Sequence, residues 1–171
     1  FSVIATDDNG LYRYHYHAPL LKEINLSSAE KVGRGAFSYI ASLSSVKLGQ
    51  KLTEIADAVF YMSTSLSDIS FAKIEKIGES AFGETALKNI DLSAVSEIGE
   101  SAFAFISTLE SVKLADGVKI GKGAFGYTKA LTKLENDANI AVVEDYAFAY
   151  SAIYSIDLSG AEHIGTHAFI K

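Results

Sequence analysis

A phenylalanine returns every 21 to 23 residues along this chain, and that periodicity constrains the fold more than any other feature. Seven of the ten phenylalanines fall in one column: Phe37, Phe60, Phe82, Phe103, Phe125, Phe148 and Phe169. Alanine precedes each, except for Val59 in the second copy. Five residues before each stands a branched aliphatic: Val32, Ile55, Ile77, Ile98, Ile120, Val143 or Ile164. Glycine follows it in five copies of seven, with Ala56 and Glu144 as the exceptions. A unit this short cannot bury its own apolar columns. Stacking copies buries them together, so the chain must be a solenoid.

A second apolar set follows each phenylalanine, spaced L-x-x-[IV]-x-L. It runs Leu43, Val46, Leu48; Leu66, Ile69, Phe71; Leu87, Ile90, Leu92; Leu109, Val112, Leu114; and Ile153, Ile156, Leu158, with Leu21, Ile24 and Leu26 as a partial first copy. The alternation at its end is that of a short half-buried strand. Between phenylalanine and strand the apolar spacing of three and four residues predicts a helical turn or two. The expected architecture is a strand-rich α/β solenoid of about seven units over 20–171, with short parallel strands and short helical turns. At roughly 4.8 Å per coil it would be about 30–35 Å long. Residues 1–19 are expected to cap it. There Tyr12–His17 alternate as a covering strand would, and His15 and His17 lack an evident third partner for a metal. The fifth unit has Asn136 where the strand's last leucine belongs, which predicts a bulge or loop.

The pattern I-G-x-x-A-F…L-x-x-I-x-L resembles the BspA-like (treponemal) leucine-rich repeats of bacterial and protozoan surface proteins, over residues 20 to 171. The resemblance implies a right-handed superhelix, an extracellular or cell-surface location, and adhesion to host or matrix proteins. Two features depart from that family's habit. Where it often carries cysteine, three residues after phenylalanine, this chain has Ile40, Ser63, Thr85, Ile106, Thr128 and Ser151. Where it often carries proline after the strand, this chain has Ser27, Gly49, Ala72, Ser93, Ala115 and Ser159.

Composition narrows the function. A net charge of −6, with basic residues scattered singly, argues against nucleic acid and anionic membrane surfaces. No apolar run is long enough for a membrane span. The absence of cysteine excludes disulfides and thiolate metal sites. No nucleophile elbow or phosphate loop occurs, and the four histidines sit at the two ends of the chain. A non-enzymatic module without cofactor or metal is expected, binding a protein or a glycan. A rigid spacer holding another domain is the alternative.

Two rows are candidate binding surfaces. The outward strand positions form parallel polar rows that include Lys47, Asp68, Asn89, Asp91, Lys113, Lys133, Glu135 and Asp157. Their mixed signs also fit cross-strand charge compensation. Two residues beyond the phenylalanine column stand Tyr39, Phe105, Tyr127 and Tyr150, broken by Met62 and Glu84. These rings either project as a ridge or lie down between coils and seal the core. His163 and His167 occupy variable positions and are read as solvent-facing.

Overall fold

The computed structural model describes residues 20–135 and 139–171. The capping segment and the loop at 136–138 expected above lie outside the described residues. Most coils contribute a strand to each of two parallel ladders; residues 153–158, expected as a strand, form none, and neither does the Val32 position of the first copy. The first ladder holds β1 (Glu23–Leu26), β2 (Ser45–Leu48), β4 (Asp68–Ile69), β6 (Asn89–Leu92), β8 (Ser111–Leu114) and β10 (Lys133–Glu135). The second holds β3 (Glu54–Ile55), β5 (Lys76–Ile77), β7 (Glu97–Ile98), β9 (Lys119–Ile120), β11 (Val142–Val143) and β12 (His163–Ile164). This second ladder is one continuous six-stranded sheet, with the I-G aliphatics in register coil upon coil. Among the described residues no helix is long and apolar enough to cross a membrane.

At Gly78, Gly99, Gly121 and Gly165 the glycine after the aliphatic is a spacing device, whereas Gly33 has open space around it. A Cβ on Gly99 would stand 2.7 Å from the carbonyl carbon of Gly78, and one on Gly121 would stand 2.7 Å from the Ile98 oxygen. None of these glycines needs a left-handed backbone; the constraint is the close approach of the preceding coil. The phenylalanines form the spine of the core. Phe60, Phe82, Phe103, Phe125 and Phe148 are fully buried, and from Phe60 to Phe169 successive rings stack 5.3–5.4 Å apart.

The helical turns expected between phenylalanine and strand are replaced by a third backbone ladder of tight turns. Each coil places a left-handed residue two positions before its phenylalanine. Gly35, Ala58, Ser80, Ser101, Gly123, Tyr146 and His167 all have φ between 54° and 62°. A second left-handed residue follows two positions after it, at Tyr39, Met62, Glu84, Phe105, Tyr127 and Tyr150, with φ between 57° and 62°. Such a backbone costs a non-glycine residue about 1–2 kcal/mol. It is maintained because it turns three amides per coil onto the next coil. Ser101, Phe103 and Phe105 donate to the carbonyls of Lys122, Ala124 and Gly126 at 2.8–2.9 Å. A helix would spend the same amides inside its own coil, leaving the neighbouring carbonyls without partners.

The positions three residues after each phenylalanine are filled by hydroxyls or isoleucine, most of them buried. Thr85 and Thr128 each donate to the carbonyl three residues back, at 2.8 and 2.7 Å. Ser63 donates at 2.9 Å to the Phe37 carbonyl of the preceding coil. No buried side-chain nitrogen or oxygen among the described residues lacks a partner.

The first ladder is not continuous. It splits into β1-β2-β4 and β6-β8-β10, with no strand pairing between β4 and β6. The third coil is the one that carries Phe71 where its neighbours have leucine. That ring is buried, edge-on to Phe82 at 5.2 Å and to Phe103 at 6.1 Å. A ring reaching that far forward does not sit as a leucine does, and β4 stops after two residues.

Candidate functional surface

The polar strand face is largely committed to holding the coils in register. Ser45 donates to Asp68 at 2.8 Å and Ser111 to Asn89 at 2.7 Å, each across adjacent strands. Lys113 lies 3.3 Å from Asp91, and Lys133 pairs along its own strand with Glu135 at 2.6 Å. Asp91 accepts the Ser93 amide at 2.9 Å, and Asp157 accepts that of Ser159 at the same distance. Asn25 does this for Ser27 at 3.0 Å, so the side chain at this position closes a turn at the strand's end. The hydroxyl and amide of Ser93, helped by the Lys113 ammonium, hold the Asp91 carboxyl below its usual range. The Ser159 amide and hydroxyl do the same for Asp157. Further cross-coil pairs, such as Lys76–Glu97 and Lys88–Glu110 at 3.2 Å, continue the pattern around the solenoid. Of the charged candidates on this face, Lys47 has no such partner among the described residues.

The aromatic row is built differently. Phe105, Tyr127 and Tyr150 stack face to face, with ring centres 4.8 and 4.7 Å apart. They are 54%, 42% and 42% exposed. The left-handed backbone beneath each ring throws its Cβ away from the core, and the coil repeat sets the spacing that lets rings stack. The rings therefore project and seal one another, while the buried phenylalanine column seals the core. Tyr39 stands apart, because Met62 and Glu84 interrupt the row. It meets Tyr61 edge-on at 5.6 Å, and the Tyr61 hydroxyl donates to Glu84 at 3.3 Å.

Sequence reasoning missed two exposed tyrosines. Tyr154 is almost wholly exposed, and Tyr146 stacks 5.3 Å from His167 at the other left-handed position. The signal for Tyr146 was available: it stands where other coils have glycine, alanine, serine or histidine. His163 and His167 are both exposed, and His163 lies 4.0 Å from Glu144. Among the described residues no three histidines, aspartates or glutamates group as a metal site would. A cleft of about 360 Å³ opens on the strand face between the second and third coils, lined in part by Lys47 and Lys73.

Stacked parallel coils, a glycine-spaced sheet and a buried aromatic spine define a leucine-rich-repeat solenoid. The family model "BspA type Leucine rich repeat region" matches residues 11–119 and 75–171, with six copies, and the chain belongs to that family. A crystal structure of a leucine-rich repeat protein from Bacteroides ovatus is similar to it, with a TM-score of 0.75 at 24% identity. That likeness covers 84% of this chain and 39% of the Bacteroides chain, so this chain spans well under half of that protein's length. No curated protein matches the chain.

Proposed function

We propose that this is a non-enzymatic, adhesin-like binding module of a secreted or cell-surface protein, and that the stacked ridge Phe105–Tyr127–Tyr150 is where a protein partner docks. The observation that carries the reading is the ridge itself. Three adjacent rings expose their edges to solvent on a charge-poor stretch, where Ala102–Thr108, Gly123–Thr128 and Tyr146–Ile156 contain no charged residue. Rigid aromatics lose little side-chain entropy on binding and are enriched at the centres of protein interfaces. The strand-face charges fit docking less well, because their interactions are already satisfied within the solenoid.

That same internal pairing favours a second reading, a rigid spacer whose surface charges serve only register. The two separate on one experiment. The chain is passed over immobilised matrix glycoproteins by surface plasmon resonance, beside Tyr127→Ser and the charge reversals at Asp91 and Lys113. A docking ridge predicts a loss of about 30-fold for Tyr127→Ser, as expected of an interface centre worth about 2 kcal/mol, with little change for the reversals. Binding that ignores Tyr127→Ser overturns the ridge, and no binding at high micromolar concentration leaves the spacer standing.

A further inference from the structure

The interrupted strand ladder leaves a second surface that draws on none of the ridge residues. Between β1 and β2 the pairing runs through four residues, from Glu23 with Ser45 to Leu26 with Leu48. Between β2 and β4 it stops after two, at Val46 with Ile69. Where the remaining pairs would lie, the coils part around the cleft of about 360 Å³, a size typical of small-ligand sites. Its apolar lining comes from Val46, Leu48 and Ile74. Leu48 is only half-buried there, whereas its counterparts Leu92 and Leu114 are fully buried.

The rim is cationic. Lys47 and Lys73 both line the cleft and, like Lys22, Lys31, Lys119 and Lys129, form no ion pair among the described residues, whereas Lys76, Lys88, Lys113 and Lys122 do. Asp68 also lines it, its carboxylate held by the Ser45 hydroxyl at 2.8 Å, so the charged lining is two lysines against one carboxylate, net positive. The cleft thus combines an apolar wall, two lysine side chains, Ser70 and the last two residues of β2, Lys47 and Leu48, which pair with β1 but have no strand partner on the third-coil side. An extended peptide end satisfies all four at once: its main chain runs along the open strand, its last side chain meets Leu48, and its carboxylate meets the lysines.

We propose that the cleft between β2 and the third coil binds the C-terminal end of an extended peptide whose last residue is apolar and whose carboxylate is free. The test is an amide-resolved NMR titration of the whole chain with an acetylated tetrapeptide ending in leucine, as the free acid and as the carboxamide. The free acid should shift the amides of Leu48, Ser70 and Lys73, and the carboxamide, which loses both ion pairs, should bind more weakly by up to about 25-fold, each exposed pair being worth up to about five-fold. Lys47→Gln with Lys73→Gln should weaken binding by about 25-fold if the two contributions add, and replacing both by arginine should restore it. Lys113→Gln should bind as the parent does. Tyr127→Ser should too, so failure of the ridge would leave this result untouched. No shift at millimolar peptide, equal binding of the carboxamide, or stronger shifts from free glucuronate would each overturn the assignment, the last in favour of an acidic sugar.

Discussion

Removing the ring of Phe103 tests the column on which the architecture rests. Its side chain is fully buried in the middle of the spine, with Phe82 stacked 5.4 Å on one side, Phe125 5.3 Å on the other, and Phe71 edge-on at 6.1 Å. Deleting a buried ring costs about 3–5 kcal/mol through lost burial and the cavity left behind. This site should lie at the upper end, near 5 kcal/mol, because the ring has neighbours on three sides and aromatic pairs add about 0.5–1.5 kcal/mol each. The flanking coils are held by three backbone ladders, which limits collapse into the space. Phe169 provides the internal control: it is only half-buried and has one stacking partner, Phe148 at 5.4 Å, so Phe169→Ala should cost less than half as much. Urea unfolding followed by circular dichroism and by tyrosine fluorescence gives both values from midpoint and slope. Equal costs at the two sites, or a loss under about 1.5 kcal/mol at Phe103, would refute the reasoning and the column assignment with it.

Four further outcomes follow from the backbone and the charges. Gly99→Ala forces a Cβ to 2.7 Å from backbone; it should cost about 2–3 kcal/mol in the same assay, as overpacking does. Gly123→Ala meets only the Ser101 hydroxyl at 3.5 Å, so its cost should be that of the left-handed backbone alone, about 1 kcal/mol. Ser101→Gly runs the other way. With φ at 54°, glycine relieves strain, and thermal unfolding should show no loss and up to about 1 kcal/mol of gain. For Asp91 the folded carboxyl titrates below its unfolded value, so its stabilising contribution is present at neutral pH and is lost as pH falls through the folded value. Asp91→Asn keeps the turn, as Asn25 shows in the first coil, but removes the charge-dependent contribution, so the acid side of the stability–pH profile should flatten because the neutral plateau drops toward the acid value. An unchanged acid limb would count against that assignment.

Much of this was legible in the chain because a solenoid repeats its constraints. The A-F column, the I-G step and the [IV]-x-L strand each recur in register, so a contact between coils is announced by two copies of the same position. The strand bounds at Ser45–Leu48, Asn89–Leu92 and Ser111–Leu114 follow the alternation directly. The turn between phenylalanine and strand was misread, because spacing of three and four is shared by helices and by successive tight turns. What distinguishes them is where the amides go, and the partner of the Phe103 amide, Ala124, lies 21 residues away. Whether Tyr127 projects or lies down between coils was open in the sequence; the left-handed backbone beneath it, which no spacing announces, turns the ring outward.

The sequence by itself determined the period, the core columns and the polar face, since each is a local pattern repeated often enough to exclude chance. Only the tertiary structure decided what those faces do. Stacking coils at a common spacing turned Phe105, Tyr127 and Tyr150 into one surface and tied Asp91 to Lys113. It also converted a single departure from the repeat, Phe71 for leucine, into a break in the strand ladder with a cleft beside it. A departure can be seen in one copy; its consequence depends on whether the neighbouring coils close over it, and that is settled by packing between residues more than 20 positions apart.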